Sequence, residues 1–127
     1  MIPKELLYTD QHEWVKVDGN IATVGITDHA QNALGDLTFV ELPPAGNEYA
    51  KGDEVSPIES CKAAASIYAP AGGKIVEGNS AVEDDPALLN SDCYGAGWIY
   101  KIELSNPDEL QGLMNAEQYT EFEGQEA

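Results

Sequence analysis

One lysine lies at a position in the sequence where its amine could be presented at an exposed tip. The stretch VSPIESCKAAASIYAPAGGKI, residues 55–75, places Lys62 between two strand-like runs. Prolines lie five residues before and eight residues after this lysine, which argues against a continuous helix through the alanines that follow it. Gly52 and Gly73 flank it at similar distances. The pattern predicts two strands that fold back as a hairpin, with Lys62 exposed at the tip.

Simpler and competing interpretations exist for these reactive residue types. Turns and edge strands often carry a lysine only for solubility. A cysteine enzyme would instead use Cys61 or Cys93 as its nucleophile and His12 or His29 as its base. Neither cysteine has CxxC or zinc-ligand spacing, and no spacing marks a third orienting group or an oxyanion site. The sequence therefore predicts free thiols and no metal site, and it makes a small cysteine enzyme the weaker alternative.

The composition is that of an acidic globular chain. Its 127 residues are 43% hydrophobic, and a chain of this length buries roughly two thirds of its unfolded surface. The formal net charge is −17, from 23 acidic residues against six lysines. Because phosphates and anionic lipids attract basic proteins, nucleic acid and membranes are not expected partners. The charge favours reversible encounters with basic patches on other proteins.

The N-terminus gives no sign of a targeting segment. It has neither the apolar core of a signal peptide nor the arginine-rich character of a transit peptide, and no apolar run is long enough to span a bilayer. We therefore expect a cytoplasmic protein, or a mitochondrial matrix protein whose presequence has been removed.

Short strands separated by Gly/Pro turns make up most of the remaining pattern. HEWVKVDGNIATVG predicts a hairpin that turns at Asp18-Gly19. TDHAQNALGD predicts a short helix that Thr27 caps and Gly35 ends. Further strands are predicted within residues 37–42, 52–60, 65–78 and 97–104, a helical turn within 84–90, and two helices within 105–122. This series predicts a β-sandwich or barrel with helices only as connections and as a C-terminal tail.

The order of motifs around the lysine resembles that of the biotinyl and lipoyl carrier domains. The matching pattern is Lys-Gly-Asp-x-Val, Glu-x-x-Lys and then Ala-Pro-x-x-Gly-x-Ile. Biotin carriers usually place methionine on both sides of the modified lysine, whereas the neighbours here are Cys61 and Ala63. ITDHAQ, LGD, FVELP and NSDCYGAGWIYKI are in addition similar to segments of the glycine cleavage H proteins, and this likeness runs from about Leu7 to Phe122. The resemblance thus favours lipoate over biotin.

The resemblance implies a fold and a biochemical role. The fold would be mostly β, a flattened barrel or sandwich hybrid of the lipoyl-domain type, in a single domain over residues 1–127 with a core of about 7–122. Lipoate would be attached covalently to Lys62, and the chain itself would catalyse nothing. We expect a monomer that carries an aminomethyl group from the glycine decarboxylase (P-protein) to the aminomethyltransferase (T-protein), and electrons to dihydrolipoyl dehydrogenase (L-protein). A lipoate ligase or lipoyltransferase would modify it.

Two alternatives to this role stay open. The chain could be an H-like paralogue that donates or relays lipoyl groups to other complexes. A biotinyl carrier is a weaker alternative, because the residues beside Lys62 lack the methionines of that group.

The resemblance also assigns three residues to a cleft that holds the aminomethylated arm. Glu13, in HEW, matches a family residue that contacts the amine, and Gln11 stands where the family can supply a hydroxyl. The family commonly has an aspartate four residues after the lysine, where this chain has Ser66. Serine accepts a hydrogen bond but brings no charge. We therefore expect that the arm docks more weakly in the cleft, or that Glu13 contributes more of the binding of its amine.

Overall fold

Nine strands and a few short helices make up the molecule, in a computed structural model that describes residues 2–125. The strands are β1 (Leu7–Tyr8), β2 (Glu13–Asp18), β3 (Ile21–Ile26), β4 (Leu37–Val40), β5 (Glu48–Tyr49), β6 (Glu54–Ser60), β7 (Ala64–Tyr68), β8 (Gly73–Gly78) and β9 (Tyr100–Leu104). The helices are α1 (Asp28–Leu34), α2 (Ser80–Asp84), α3 (Leu88–Ser91), a 3₁₀ helix (Pro107–Gly112) and α4 (Ala116–Gln125).

The strands form two antiparallel sheets that pack on each other like a sandwich. The larger sheet has six strands in the order β1-β2-β3-β9-β8-β5, and the smaller has three in the order β4-β6-β7. The two sheets do not close into a barrel. Of the two forms that the sequence predicted, barrel and sandwich, the sandwich is therefore the better description of the fold. The mostly β class with short connecting helices and a C-terminal helix is confirmed.

Alternating residues of both sheets fill the core between them. In β9, Tyr100, Ile102 and Leu104 point inward and are buried, as the period of two predicts. Ile58 and Ile67 meet them from the smaller sheet. A second, smaller apolar cluster fastens α4 to the N-terminal strands; it consists of Leu6, Tyr8, Trp14, Ala116 and Tyr119.

Local signals place the helix ends. The Thr27 side chain accepts a hydrogen bond from the Ala30 N–H, and Gly35 follows α1 with a φ of 80°, so both predicted ends of this helix are confirmed. The sequence did not predict α2, or the strands β1 and β5, because two to five residues are too few to show a period. No helix within residues 2–125 is long and apolar enough to cross a membrane.

Gly73 provides a test of the packing between strands. A methyl group at this position would overlap the backbone carbonyl of Glu103 on the neighbouring β9, whereas one at Gly112 would have no atom within 4 Å. We expect Gly73→Ala to lower the free energy of unfolding by about 1–3 kcal/mol, as overpacking does. Gly112→Ala should change it by less than about 0.5 kcal/mol. Urea denaturation of both variants checks this, and equal midpoints would contradict it.

Candidate functional site

A four-residue turn between β6 and β7 carries Lys62. The Ser60 N–H donates to the Ala63 carbonyl at 2.7 Å, which closes the turn. The Ser60 hydroxyl oxygen accepts from the N–H groups of Lys62 and Ala63 at 3.3 and 3.0 Å. Lys62 is exposed. The predicted hairpin with the lysine at its tip is therefore the observed local structure.

The end of α1 supports this turn from below. The Cys61 N–H donates to the Asp36 carbonyl at 2.9 Å. A Cβ atom at Gly35 would lie 3.4 Å from Lys62 Cε and 3.6 Å from Cys61 Sγ, so the lysine stem lies over this glycine. The positive φ of Gly35 and its missing side chain both fit this close approach. The turn is thus fixed while the amine stays accessible.

A cleft of about 690 Å³ opens beside β7. It contains the predicted site residues Gln11 and Glu13. Its walls come from four separate parts of the chain: residues 8–11 with Glu13, 51–52, 68–70, and 112–114 with Phe122. The wall at 68–70 continues directly from the hairpin strand that follows Lys62.

The buried carboxylate of Glu13 is the main electrostatic feature of the cleft. Glu13, the first residue of β2, is 2% exposed. It accepts hydrogen bonds from the Tyr68 N–H at 2.6 Å and from the Thr9 hydroxyl at 3.0 Å. Burial raises the pKa of the Glu13 carboxyl from 4.5 to about 7, and the two hydrogen bonds oppose this rise. The carboxylate is therefore oriented but only partly compensated.

The other two predicted cleft residues differ in position. Gln11 is exposed at the cleft, and its N–H donates to the Thr9 hydroxyl oxygen at 3.2 Å. Ser66 lies opposite Pro57 on β7, on the strand face that it shares with Tyr68, and is not among the residues that line the cleft. At a strand rise of about 3.3 Å, it lies roughly 13 Å along the chain from Lys62. Ser66 thus stands between the lysine and the cleft.

Sequence reasoning missed the groups that hold Glu13. Thr9 precedes it by four residues, but this spacing signals no carboxylate site by itself. Tyr68 contributes its backbone, which no side-chain motif reveals. The Tyr100 hydroxyl donates to the Tyr68 carbonyl at 3.2 Å, and burial raises the pKa of this phenol well above its usual value. Both backbone groups of Tyr68 are thus bound by side chains from the larger sheet.

The histidines and cysteines of the cysteine-enzyme alternative are not arranged as a nucleophile and its base. The rings of His12 and His29 stack with centroids 4.3 Å apart, and His12 Nδ1 lies 2.6 Å from the Tyr119 hydroxyl. Burial raises the pKa of the Cys93 thiol to about 11, which disfavours the thiolate that a nucleophile needs. Cys61 is exposed, and both thiols are free, as predicted. These surroundings weaken the cysteine-enzyme alternative.

The fold and the site together define a class of protein. A β-sandwich that presents one lysine on a fixed hairpin turn, next to an acid-containing cleft, has the architecture of a carrier protein. The family model described as "Glycine cleavage H-protein" matches residues 6–126. This chain belongs to the glycine cleavage H-protein family.

Individual relatives support the same assignment. The glycine cleavage system H protein of Carboxydothermus hydrogenoformans is 51% identical over 119 residues, which cover 94% of this chain and 92% of that protein. The mitochondrial H protein of Drosophila melanogaster is 50% identical over 123 residues, 96% of this chain and 74% of that protein. A crystal structure of the H protein from Mycobacterium marinum superposes with a TM-score of 0.86, at 40% identity and 98% coverage of both chains.

The raised pKa of Glu13 predicts a pH dependence of stability. A carboxyl whose pKa is higher in the folded than in the unfolded chain stabilises the fold below the unfolded value, and this contribution is lost as the pH rises through the folded value. A rise from 4.5 to about 7 corresponds to roughly 3 kcal/mol over that window. The free energy of unfolding of the parent protein, compared with that of Glu13→Gln, should therefore fall by about this amount between pH 4.5 and 7.5.

Urea denaturation of both proteins across this pH range measures the difference. Glu103→Gln supplies the matched control, because it makes the same chemical change at an exposed residue outside the cleft. A constant difference between the parent and Glu13→Gln would contradict the prediction.

Proposed function

We propose that this chain is the lipoyl carrier of the glycine cleavage system, with lipoate in amide linkage to Lys62. It would receive an aminomethyl group at the P-protein, deliver it to the T-protein and pass electrons to the L-protein. The observation that carries this proposal is the fixed turn that leaves Lys62 exposed in a member of this family. A tethered group gains a high effective concentration at each docked enzyme.

The surroundings of Lys62 fit an acylated lysine. Hydrogen bonds of the Ser60 backbone and hydroxyl and of the Cys61 N–H fix the turn, and none of these bonds uses the lysine side chain. Acylation would remove the charge of the amine without disturbing these bonds. Bound lipoate would supply a disulfide that accepts the aminomethyl group and electrons. A lipoate ligase or lipoyltransferase would attach it.

Glu13 would hold the ammonium of the aminomethyl group. A nearby cation favours the ionised form of a carboxyl, so binding would lower the pKa of Glu13 from about 7 and form a shielded ion pair. The hydrogen bonds from Tyr68 and Thr9 orient both carboxylate oxygens. Gln11 would contribute its amide oxygen at the mouth of the cleft, where water must be excluded to slow hydrolysis.

The rest of the assignment follows from the family. We propose a single domain over residues 1–127 that acts as a non-catalytic monomer, in bacterial cytoplasm or in the mitochondrial matrix. The chain departs from the common family pattern at Ser66, and this departure favours one second candidate, an H-like paralogue that relays lipoyl groups to other complexes.

The modification itself can be measured directly. Protein produced in cells supplied with lipoate should gain the mass of one lipoyl group, and peptide mapping should place it at Lys62. Lys62→Arg should abolish the adduct, whereas Lys74→Arg, a control on the opposite sheet, should keep it. If Lys62 stayed unmodified in cells that modify another H protein, the proposed function would be wrong.

Because Ser66 replaces the common aspartate, we expect the aminomethylated arm to bind more weakly to this protein. Replacing this serine by aspartate restores a charge on the β7 face between Lys62 and the cleft, so Ser66→Asp should slow the loss of the aminomethyl group by hydrolysis. We expect a change of severalfold, since an added charged hydrogen bond contributes about 1.5 kcal/mol or more. Ser66→Asn, which adds a similar volume without charge, is the control. An unchanged hydrolysis rate for Ser66→Asp would refute the role of this position.

A further inference from the structure

Phe39 is a large apolar side chain exposed close to Lys62. It lies on β4 and is 42% exposed. Its strand partner is Glu59, which itself pairs with Ala64 at the start of β7, next to the turn. Together with the neighbouring row, these residues form what we term the small-sheet face: Phe39, Glu41, Pro57, Glu59, Ala64 and Ser66.

The small-sheet face is uniformly acidic around this aromatic ring. Glu41 and Glu59 are exposed on it, and Asp36 is exposed where β4 approaches the turn. Lys62 lies at the turn beside this face. Lys16, Lys74 and Lys101 instead lie on the outer side of the six-stranded sheet, as the strand register and their exposure indicate. The exposed carboxylates Glu41 and Glu59 therefore favour a partner with a basic surface at the small-sheet face.

The short side chain of an unmodified lysine indicates which partner must contact this face. An enzyme that acts on the finished lipoyl arm can work at the distance that the arm spans. The enzyme that acylates Lys62 meets only a four-carbon stem, so its active site must come against the turn and the surface beside it. Phe39 lies within about 15 Å of Lys62 by chain geometry, well inside the footprint of an ordinary protein interface.

We propose that the small-sheet face docks the enzyme that acylates Lys62, which accepts Phe39 in an apolar pocket bordered by lysine or arginine side chains. This inference rests on the proposed lipoylation of Lys62. Phe39 acts as the anchor, because a partly exposed aromatic ring gains most from being enclosed by a partner. Glu41 and its acidic neighbours orient the approaching enzyme and form ion pairs with the lysine or arginine side chains around its pocket.

Acylation kinetics with a purified lipoate ligase, lipoate and ATP test this surface, with intact mass as the readout. Phe39→Ser should lower kcat/KM about tenfold or more, mainly through a higher KM, as the loss of an interface anchor does. Glu41→Lys should lower it in the same direction, and its effect should shrink at high salt. Two control variants lie on the six-stranded sheet: Val76→Ser removes another exposed apolar side chain, and Glu103→Lys repeats the charge reversal. Both should stay within about twofold of the parent.

The outcomes separate the inference from the proposed function. If the parent protein is not acylated, the proposed function fails. If the parent is acylated and Phe39→Ser or Glu41→Lys reacts at the parent rate, only the docking surface is wrong. An unchanged acylation rate with slower aminomethyl exchange at the decarboxylase would assign the face to that enzyme and would also overturn the inference. Circular dichroism controls for folding, and the exposed position of Glu41 keeps the test valid if Phe39→Ser is unstable.

Discussion

The connection between β7 and the six-stranded sheet at Tyr68 constrains the whole site. β7 is an edge strand of the smaller sheet, and Glu13 and Tyr100 bind its Tyr68 N–H and carbonyl from across the sandwich. The hairpin that carries Lys62 is thereby fastened at its base by Tyr68 and at its tip by the end of α1. The same carboxylate that joins the sheets also faces the cleft, so the position of the lysine and that of the cleft acid are coupled.

The buried carboxylate at this junction has an energetic cost. Moving a carboxylate out of water is unfavourable, and the hydrogen bonds from Tyr68 and Thr9 offset only part of this penalty, since the pKa of Glu13 still rises to about 7. An apolar side chain would remove this penalty but would leave the Tyr68 N–H and the Thr9 hydroxyl without their acceptor. The retention of a carboxylate here fits a site in which a cationic group completes the pairing, a trade of stability for function.

Local signals in the sequence were sufficient for the tip of the hairpin but not for the cleft. Flanking prolines and glycines indicated the turn at Lys62, and a threonine and a glycine indicated both ends of α1. The cleft could not be assembled in the same way, because its walls come from segments far apart in the chain and Tyr68 binds Glu13 through a backbone group. The family resemblance supplied Glu13 as a candidate, and only the folded chain reveals Thr9 and Tyr68 as its partners.

The occupied backbone of Tyr68 has a further consequence for self-association. An unpaired edge strand is a template for strands of other molecules, and natural proteins must block such edges to avoid aggregation. At Tyr68 the hydrogen-bonding groups are already bound by Glu13 and Tyr100, so a foreign strand that extended along β7 would have to displace two buried side chains. The contacts that shape the cleft therefore also block intermolecular β-pairing at the Tyr68 end of the hairpin.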